Sequence, residues 1–115
     1  MGFLSNVFAK ASSTSDAVEA AEAQRRQQAG ALVVDVREPE EWREGHVAGA
    51  QHIPLGSLAA RLAELPRDQE ILTMCRSGNR SAKAQSLLQA HGFAKVRNVS
   101  GGIIAWERAG LPVER

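Results

Sequence analysis

An α/β sandwich on a mostly parallel sheet is the fold this sequence predicts, and three observations carry it. Strand-like apolar runs alternate with helix-like segments along most of the 115 residues. One run, residues 31–36 (Ala-Leu-Val-Val-Asp-Val), is almost continuously apolar, as a central strand covered on both faces requires. Glycine or proline punctuates the segment ends, at Gly30, Pro39, Pro54, Pro66, Gly92, Gly110 and Pro112.

Composition sets the outer bounds. A chain of this length makes one domain with a core of its own. The formal charge is +1, so neither nucleic acid nor an acidic membrane surface has a bulk electrostatic claim on it. No apolar stretch has the length of a membrane-spanning helix. A single cysteine rules out an intramolecular disulfide and suits a reducing compartment, so the expected location is the cytoplasm. Residues 1–10 lack the basic start and sustained apolar run of a secretory signal, and Asn6 stands where a myristoylation motif needs Ser or Thr.

The elements follow in order. Phe3, Leu4, Val7 and Phe8 recur with helical spacing until Ser12-Ser13-Thr14-Ser15 breaks it. Residues 1–13 are read as a partly ordered leader, a short docking helix being the alternative, and residues 14–115 as the domain. Thr14 or Ser15 is expected to cap a helix over about 16–29, with Asp16, Glu19 and Glu22 early, Arg25 and Arg26 late, and Gly30 just past its end. The strand at 31–36 leads to a charged helix over 38–44 with Pro39 at its first position. Residues 45–54 read as a loop and a short strand ended by Pro54, and Leu55, Leu58, Leu62 and Leu65 carry helical spacing up to Pro66. A strand at 71–74, a helix over about 80–90, a short strand at 96–99 and a short helix at 103–109 complete the chain. Residues 9–14 make a poor strand, so an edge strand ahead of the first helix is expected to be short or absent.

The chemistry concentrates in Cys75-Arg76-Ser77-Gly78-Asn79-Arg80-Ser81. Cys75 falls at the carboxyl end of a strand, where open α/β sheets build their sites. Gly78 permits an unusual backbone angle, and inward-pointing amides from Arg76 to Ser81 would form an anion nest leading into a helix N-terminus. Arg76 and Arg80 add fork-shaped donors, and Ser77 and Ser81 add hydroxyls. That surrounding favours a thiolate, so Cys75 is expected to be a reactive nucleophile facing a small anion.

Three blocks together resemble the single-domain rhodaneses, which are sulfurtransferases. They are Asp35-Val36-Arg37-Glu38-Pro39-Glu40-Glu41-Trp42 with Gly45-His46-Val47-Ala48-Gly49-Ala50-Gln51-His52-Ile53-Pro54, the Cys75–Ser81 run, and Gly101-Gly102-Ile103-Ile104-Ala105-Trp106 with Gly110-Leu111-Pro112-Val113. The resemblance runs from about Thr14 to Val113. It implies a rhodanese-like three-layer sandwich whose mostly parallel sheet has four to five strands, with helices on both faces. It further implies that Cys75 takes the outer sulfur of thiosulfate or a similar small sulfur-containing anion as a persulfide and passes it to an external acceptor. That acceptor is cyanide, a thiol or a sulfur-relay protein. Arg76 and Arg80 would hold the sulfonate end while loop amides, with Ser77, Gly78, Asn79 and Ser81, bind the rest. No cofactor is implied.

The spacing discriminates among relatives. Four residues separate Cys75 from Arg80, whereas cysteine phosphatases use five and so cradle a tetrahedral phosphate. That gap and the absence of resolving cysteines disfavour a phosphatase or an arsenate reductase. The main alternative is a non-catalytic rhodanese-like module that binds a partner or senses sulfur.

Elsewhere the readings are structural. Asp35 and Arg37 are read as scaffold or pocket residues: Asp35 is expected to tie down loop backbone and Arg37 to form an ion pair, the pocket rim being the alternative place for it. His46 and His52 are expected to bond loop backbone, since no second ligand pair at a usual spacing supports a metal site. His91 lies at a helix end. Trp42 and Trp106 are expected to be core anchors, and Glu38, Glu40, Glu41 and Glu44 a solvated helix face. Gly101 and Gly102 should allow a tight turn that brings the last helix close to the Cys75 loop.

Overall fold

The computed structural model describes residues 16–115; the expected leader, residues 1–13, lies outside them. Five strands form one parallel sheet: β1 (Ala17–Val18), β2 (Leu32–Asp35), β4 (Gln51–His52), β5 (Ile71–Met74) and β6 (Val96–Val99). Their spatial order is β1-β6-β5-β2-β4. β5 is central, pairing Ile71 with Leu32 on one side and with Val96 on the other. The remaining elements are α1 (Ala20–Gln28), α2 (Pro39–Glu44), β3 (His46–Val47), α3 (Leu55–Leu58), a 3-10 segment (Ala59–Glu64), α4 (Asn79–Ala90), α5 (Gly102–Arg108) and β7 (Val113–Glu114).

The two-residue alternation of a strand sorts the core into two halves. On one face, Val33, Leu72, Met74 and Val99 pack with Ala23 of α1 and with Ile103 and Trp106 of α5. On the other, Val34, Val36, Ile71, Cys75 and Val96 pack with Leu58 of α3, with Ala84 and Leu88 of α4, and with Leu65 and Phe93. The parallel sheet is thus covered on both sides, which explains the continuous apolar run at 31–36. Trp106 anchors the core as expected, 1% exposed, with its Nε1 donating to the Pro112 carbonyl at 2.9 Å.

Four elements depart from expectation. The segment expected to open the first helix is instead strand β1, and α1 begins only at Ala20, after an N-cap Glu19 that makes no side-chain cap. The edge of β6 decides this: Asn98 N–H donates to the Asp16 carbonyl and Ser100 N–H to the Val18 carbonyl, each at 2.8 Å, and Val18 is buried. Leu55 to Leu65 winds as a short α-turn and a 3-10 segment broken at Arg61, because Gly56 and Ser57 hold little helix propensity against the packing of Leu58 and Leu65. β3 and β7 form a small antiparallel sheet pairing His46 with Glu114; strands this short carry no periodicity to read. Trp42 is half-buried rather than a core anchor. Its ring lies stacked on His46 at 3.6 Å and on His52 at 4.8 Å. Among the described residues no helix is long and apolar enough to cross a membrane.

The glycine pair does bring the last helix onto the Cys75 loop. Ile103 N–H donates to the Cys75 carbonyl at 2.9 Å and Ile104 N–H to the Arg76 carbonyl at 3.2 Å. Gly102 sits at φ +58°, and a Cβ there would overlap the carbonyl oxygens of Cys75 and Arg76. Gly110, at φ +75°, has open space where its Cβ would lie. Gly102→Ala is therefore expected to cost about 2–3 kcal/mol and Gly110→Ala about 1 kcal/mol. Thermal denaturation checks this, and equal losses would show that backbone angle alone, not the close approach, governs Gly102.

Candidate active site

β5 delivers Cys75 at its carboxyl end, and the next residues curl back over the side chain. Gly78 makes that turn possible at φ +111°, a left-handed angle that suits glycine, and stands as the N-cap of α4. The Gly78 amide donates to Cys75 Sγ at 3.1 Å, and the Ser81 hydroxyl lies 3.3 Å from the sulfur. Burial pushes the Cys75 thiol up. The Ser81 hydroxyl and the amides of Ser81, Gly78 and Ser77 more than reverse it, so the thiol sits below its ordinary value. Cys75 is only 1% exposed, so its sulfur lies at the floor of the loop.

Of the predicted site residues, Cys75, Gly78, Ser81 and the amide of Ser77 converge on the sulfur. Ser77 and Asn79 are exposed. Arg76 is exposed and joins no ion pair among the described residues. It lines a cleft of about 280 Å³ together with Arg37, Glu41, Glu44, Ile104 and Glu107. Arg80 is directed elsewhere: its Nη1 and Nη2 donate to Glu41 Oε1 and Oε2 at 2.7 and 2.9 Å. This fork-to-carboxylate pairing holds the Glu41 carboxyl down at about 2, against the opposing push of burial, with the Glu38 amide and Arg37 helping. The same contact raises Arg80.

Asp35 and Arg37 form a scaffold at the end of β2. Asp35 is fully buried and Arg37 nearly so, and Arg37 Nε and Nη2 donate to both Asp35 carboxylate oxygens. Asp35 Oδ1 also accepts the Arg37 amide at 3.0 Å, while Arg37 Nη2 donates to the Gly45 carbonyl at 2.8 Å and Nη1 to the Glu41 carbonyl at 3.2 Å. A buried pair this fully bonded pins the α2–β3 connection. His46 Nδ1 and His52 Nε2 lie 2.9 and 2.7 Å from the carbonyls of Trp42 and Arg37. His91 Nδ1 is 2.9 Å from the Leu87 carbonyl.

Two further residues, Glu41 and Asn98, hold side chains of the loop from other elements and carry little or no signal in the sequence. Glu41 is not part of a solvated face but the anchor of Arg80, and it also closes a capping box with Glu38; the Glu38-x-x-Glu41 spacing before Trp42 was its one sequence signal. Asn98, on β6, accepts from the Ser81 hydroxyl at 2.6 Å and donates from Nδ2 to the Gly78 carbonyl at 3.2 Å. Asn98 is one of two adjacent polar residues, with Arg97, in the strand Val96–Val99, so nothing local marks it for such a role.

The fold and this loop place the chain among proteins that carry a cysteine in an anion cradle at the end of a parallel strand. Residues 19–109 match the rhodanese-like domain family, and the chain belongs to it. A sulfurtransferase of Allochromatium vinosum is 42% identical over 82 residues, 71% of this chain and 77% of that protein. The thiosulfate sulfurtransferase GlpE of Pseudomonas putida is 38% identical over 89 residues, 77% of this chain and 80% of its own. A rhodanese-related protein from Thermoplasma volcanium superposes with a TM-score of 0.80 at 35% identity, covering 85% of this chain and 96% of that one. Other relatives hold the match within longer chains, of which it spans 46% in one and 16% in a solved structure. Sulfur transfer, in general terms, is the chemistry these relationships support.

The Glu41–Arg80 pair generates a pH prediction. The folded-state carboxyl of Glu41 lies near 2, below its model-compound value of 4.5. Its contribution to stability is present in full above about pH 4.5 and is lost as pH falls toward about 2. Thermal melts should therefore show wild type above Glu41→Gln near neutral pH, with the gap closing between about pH 4.5 and 2. A gap that stays constant across that range would contradict the assignment.

Proposed function

We propose that this protein is a sulfurtransferase that carries a sulfane sulfur on Cys75, from thiosulfate or a similar anionic donor to an external acceptor. The observation that carries the reading is the sulfur of Cys75 accepting from the Gly78 amide at 3.1 Å with the Ser81 hydroxyl at 3.3 Å. The Gly78 amide, held by the backbone before reaction, stabilises an anion on sulfur without reorganising, and the Ser81 hydroxyl lies within reach to add a second donor. In the first step the Cys75 thiolate attacks the outer sulfur of thiosulfate. A new S–S bond forms, the S–S bond of thiosulfate breaks, and sulfite leaves with the electron pair. The product is a Cys75 persulfide anion, and no proton or outside electron is consumed. In the second step a nucleophile, cyanide in an assay or a thiolate in a cell, attacks the terminal sulfur and the Cys75 thiolate departs.

Arg76 is the loop guanidinium open to the sulfonate end, while Arg80 is engaged by Glu41 and chiefly fixes the loop against α2. Because Cys75 is the chain's single cysteine, no second thiol of this chain discharges the persulfide. The acceptor comes from outside, either a small thiol or a sulfur-relay protein, and a thiol kept reduced fits a cytoplasmic setting. The four residues between Cys75 and Arg80 favour an exposed sulfur over a tetrahedral phosphate.

Intact-mass measurement of the reduced protein after thiosulfate treatment tests the reading. One added sulfur is expected in wild type and none in Cys75→Ser, with thiocyanate formed when cyanide follows. An unmodified wild-type protein would instead favour a non-catalytic binding module. Arg76→Ala should raise the KM for thiosulfate roughly tenfold through loss of a charge-assisted contact. Glu41→Gln, by freeing Arg80, should lower it a few-fold. Steady-state kinetics with thiosulfate and cyanide checks both, and an unchanged KM in either variant would remove that residue from donor recognition.

A further inference from the structure

The Ser81 hydroxyl has one proton and two acceptors within reach. Asn98 Oδ1 lies at 2.6 Å and Cys75 Sγ at 3.3 Å. A carboxamide oxygen is a stronger acceptor than a neutral thiol sulfur, and the 2.6 Å contact is short, so Asn98 is the favoured partner for that proton while the sulfur is uncharged. The Asn98 amide cannot be reversed without loss, because its Nδ2 donates to the Gly78 carbonyl. Turned over, Oδ1 would face that carbonyl, acceptor against acceptor. Both partners are held firmly. The Asn98 backbone pairs with Ala17 of β1 and Thr73 of β5. The Thr73 hydroxyl donates to the Ser81 carbonyl at 3.0 Å.

We propose that Asn98 is a positioning residue for the sulfur chemistry: its carboxamide oxygen holds the Ser81 proton while Cys75 carries its own, and yields it when negative charge forms on sulfur. Cys75, Ser81 and Asn98 then act as a proton switch across the loop, with the thiolate or persulfide taking a donor that the thiol does not need. Asn98 competes with the anion for that donor, so the switch opposes premature ionisation and completes the cradle only once sulfur is charged.

The surrounding charges leave this as a local event. Arg80 of α4 acts on the thiolate through its field but is paired with Glu41 of α2. Arg76 is exposed, and Asp35 and Arg37 at the end of β2 close on each other. The cluster to which Cys75 belongs is otherwise apolar, with Val36 beyond β2, Leu58 of α3 and Ala84 of α4.

The proposal deepens the sulfur-transfer reading, but its test needs no sulfur donor, so either can fail alone. The rate of Cys75 alkylation by iodoacetamide, followed against pH in the full chain, reports the ionisation of its single thiol. Asn98→Leu keeps the volume and removes the competing acceptor; the midpoint should fall by about half a pH unit to one unit. Asn98→Asp keeps an acceptor and adds negative charge, so its midpoint should rise. Ser81→Ala should raise the midpoint, and Asn98→Leu should have no further downward effect in that background. Should Asn98→Leu fail to fold, as judged by thermal melting, Asn98→Ala makes the same comparison. Leu and Asp shifting the midpoint in the same direction, or a downward shift from Asn98→Leu that persists without Ser81, would overturn the switch.

Discussion

A loop that turns its amides inward must turn its carbonyls outward, and that constraint organises this protein. The amides of Ser77, Gly78 and Ser81 act on the sulfur of Cys75. The carbonyls of Cys75 and Arg76 are left facing the opposite way. They are met by the first amides of α5, from Ile103 and Ile104, which as the opening donors of a helix have no partner within it. One set of bonds thus satisfies two sets of orphan groups. Gly102 makes the approach close enough, and Trp106 on the same helix locks it into the core beneath the sheet. The cradle is therefore a property of the whole sandwich, since its rear wall is a helix that starts more than twenty residues downstream of the cysteine.

Charge is handled the same way, by committing groups before any ligand arrives. Asp35 and Arg37 neutralise each other in the interior, where an unpaired charge would be strongly destabilising. Glu41 and Arg80 close the gap between α2 and the first turn of α4. Of the two loop arginines, Arg80 is thereby committed and Arg76 is the exposed one. In the proposed chemistry, stabilisation of negative charge on sulfur rests mainly on neutral donors, backbone amides of fixed direction and a hydroxyl that can turn to it. Such donors work well in a site shut off from water, where their dipoles are little screened.

Much of the fold was legible because it depends on strong local signals. The apolar run at 31–36, the strand Ile71–Met74 and the glycine and proline stops survive nearly unchanged as β2, β5 and their boundaries. The weak places are those where competing local preferences are nearly balanced. Asp16 to Val18 carries helix-start chemistry, yet the open edge of β6 takes it as a strand. The Leu55 to Leu65 spacing is helical, yet Gly56 and Ser57 leave the winding to tertiary packing. In the site, Cys75, Gly78 and Ser81 meet where their contiguity in sequence placed them. The turning away of Arg80 could not be read, because its partner lies 39 residues earlier on another element.

By itself the sequence determined the layered α/β class, the position of Cys75 at a strand end and the loop that encloses it. These follow from periodicity, backbone permissiveness and spacing over a handful of neighbouring residues, all of which are local. Tertiary structure alone decided which arginine faces the cleft, which carboxylate binds the other, and which acceptors surround the Ser81 hydroxyl. Each of those outcomes is a competition between acceptors or charges brought together from distant elements. At Ser81 the oxygen of Asn98 and the sulfur of Cys75 both lie at ordinary hydrogen-bond distances for their atoms, 2.6 and 3.3 Å, and only the packing of β6 against α4 brings the two together.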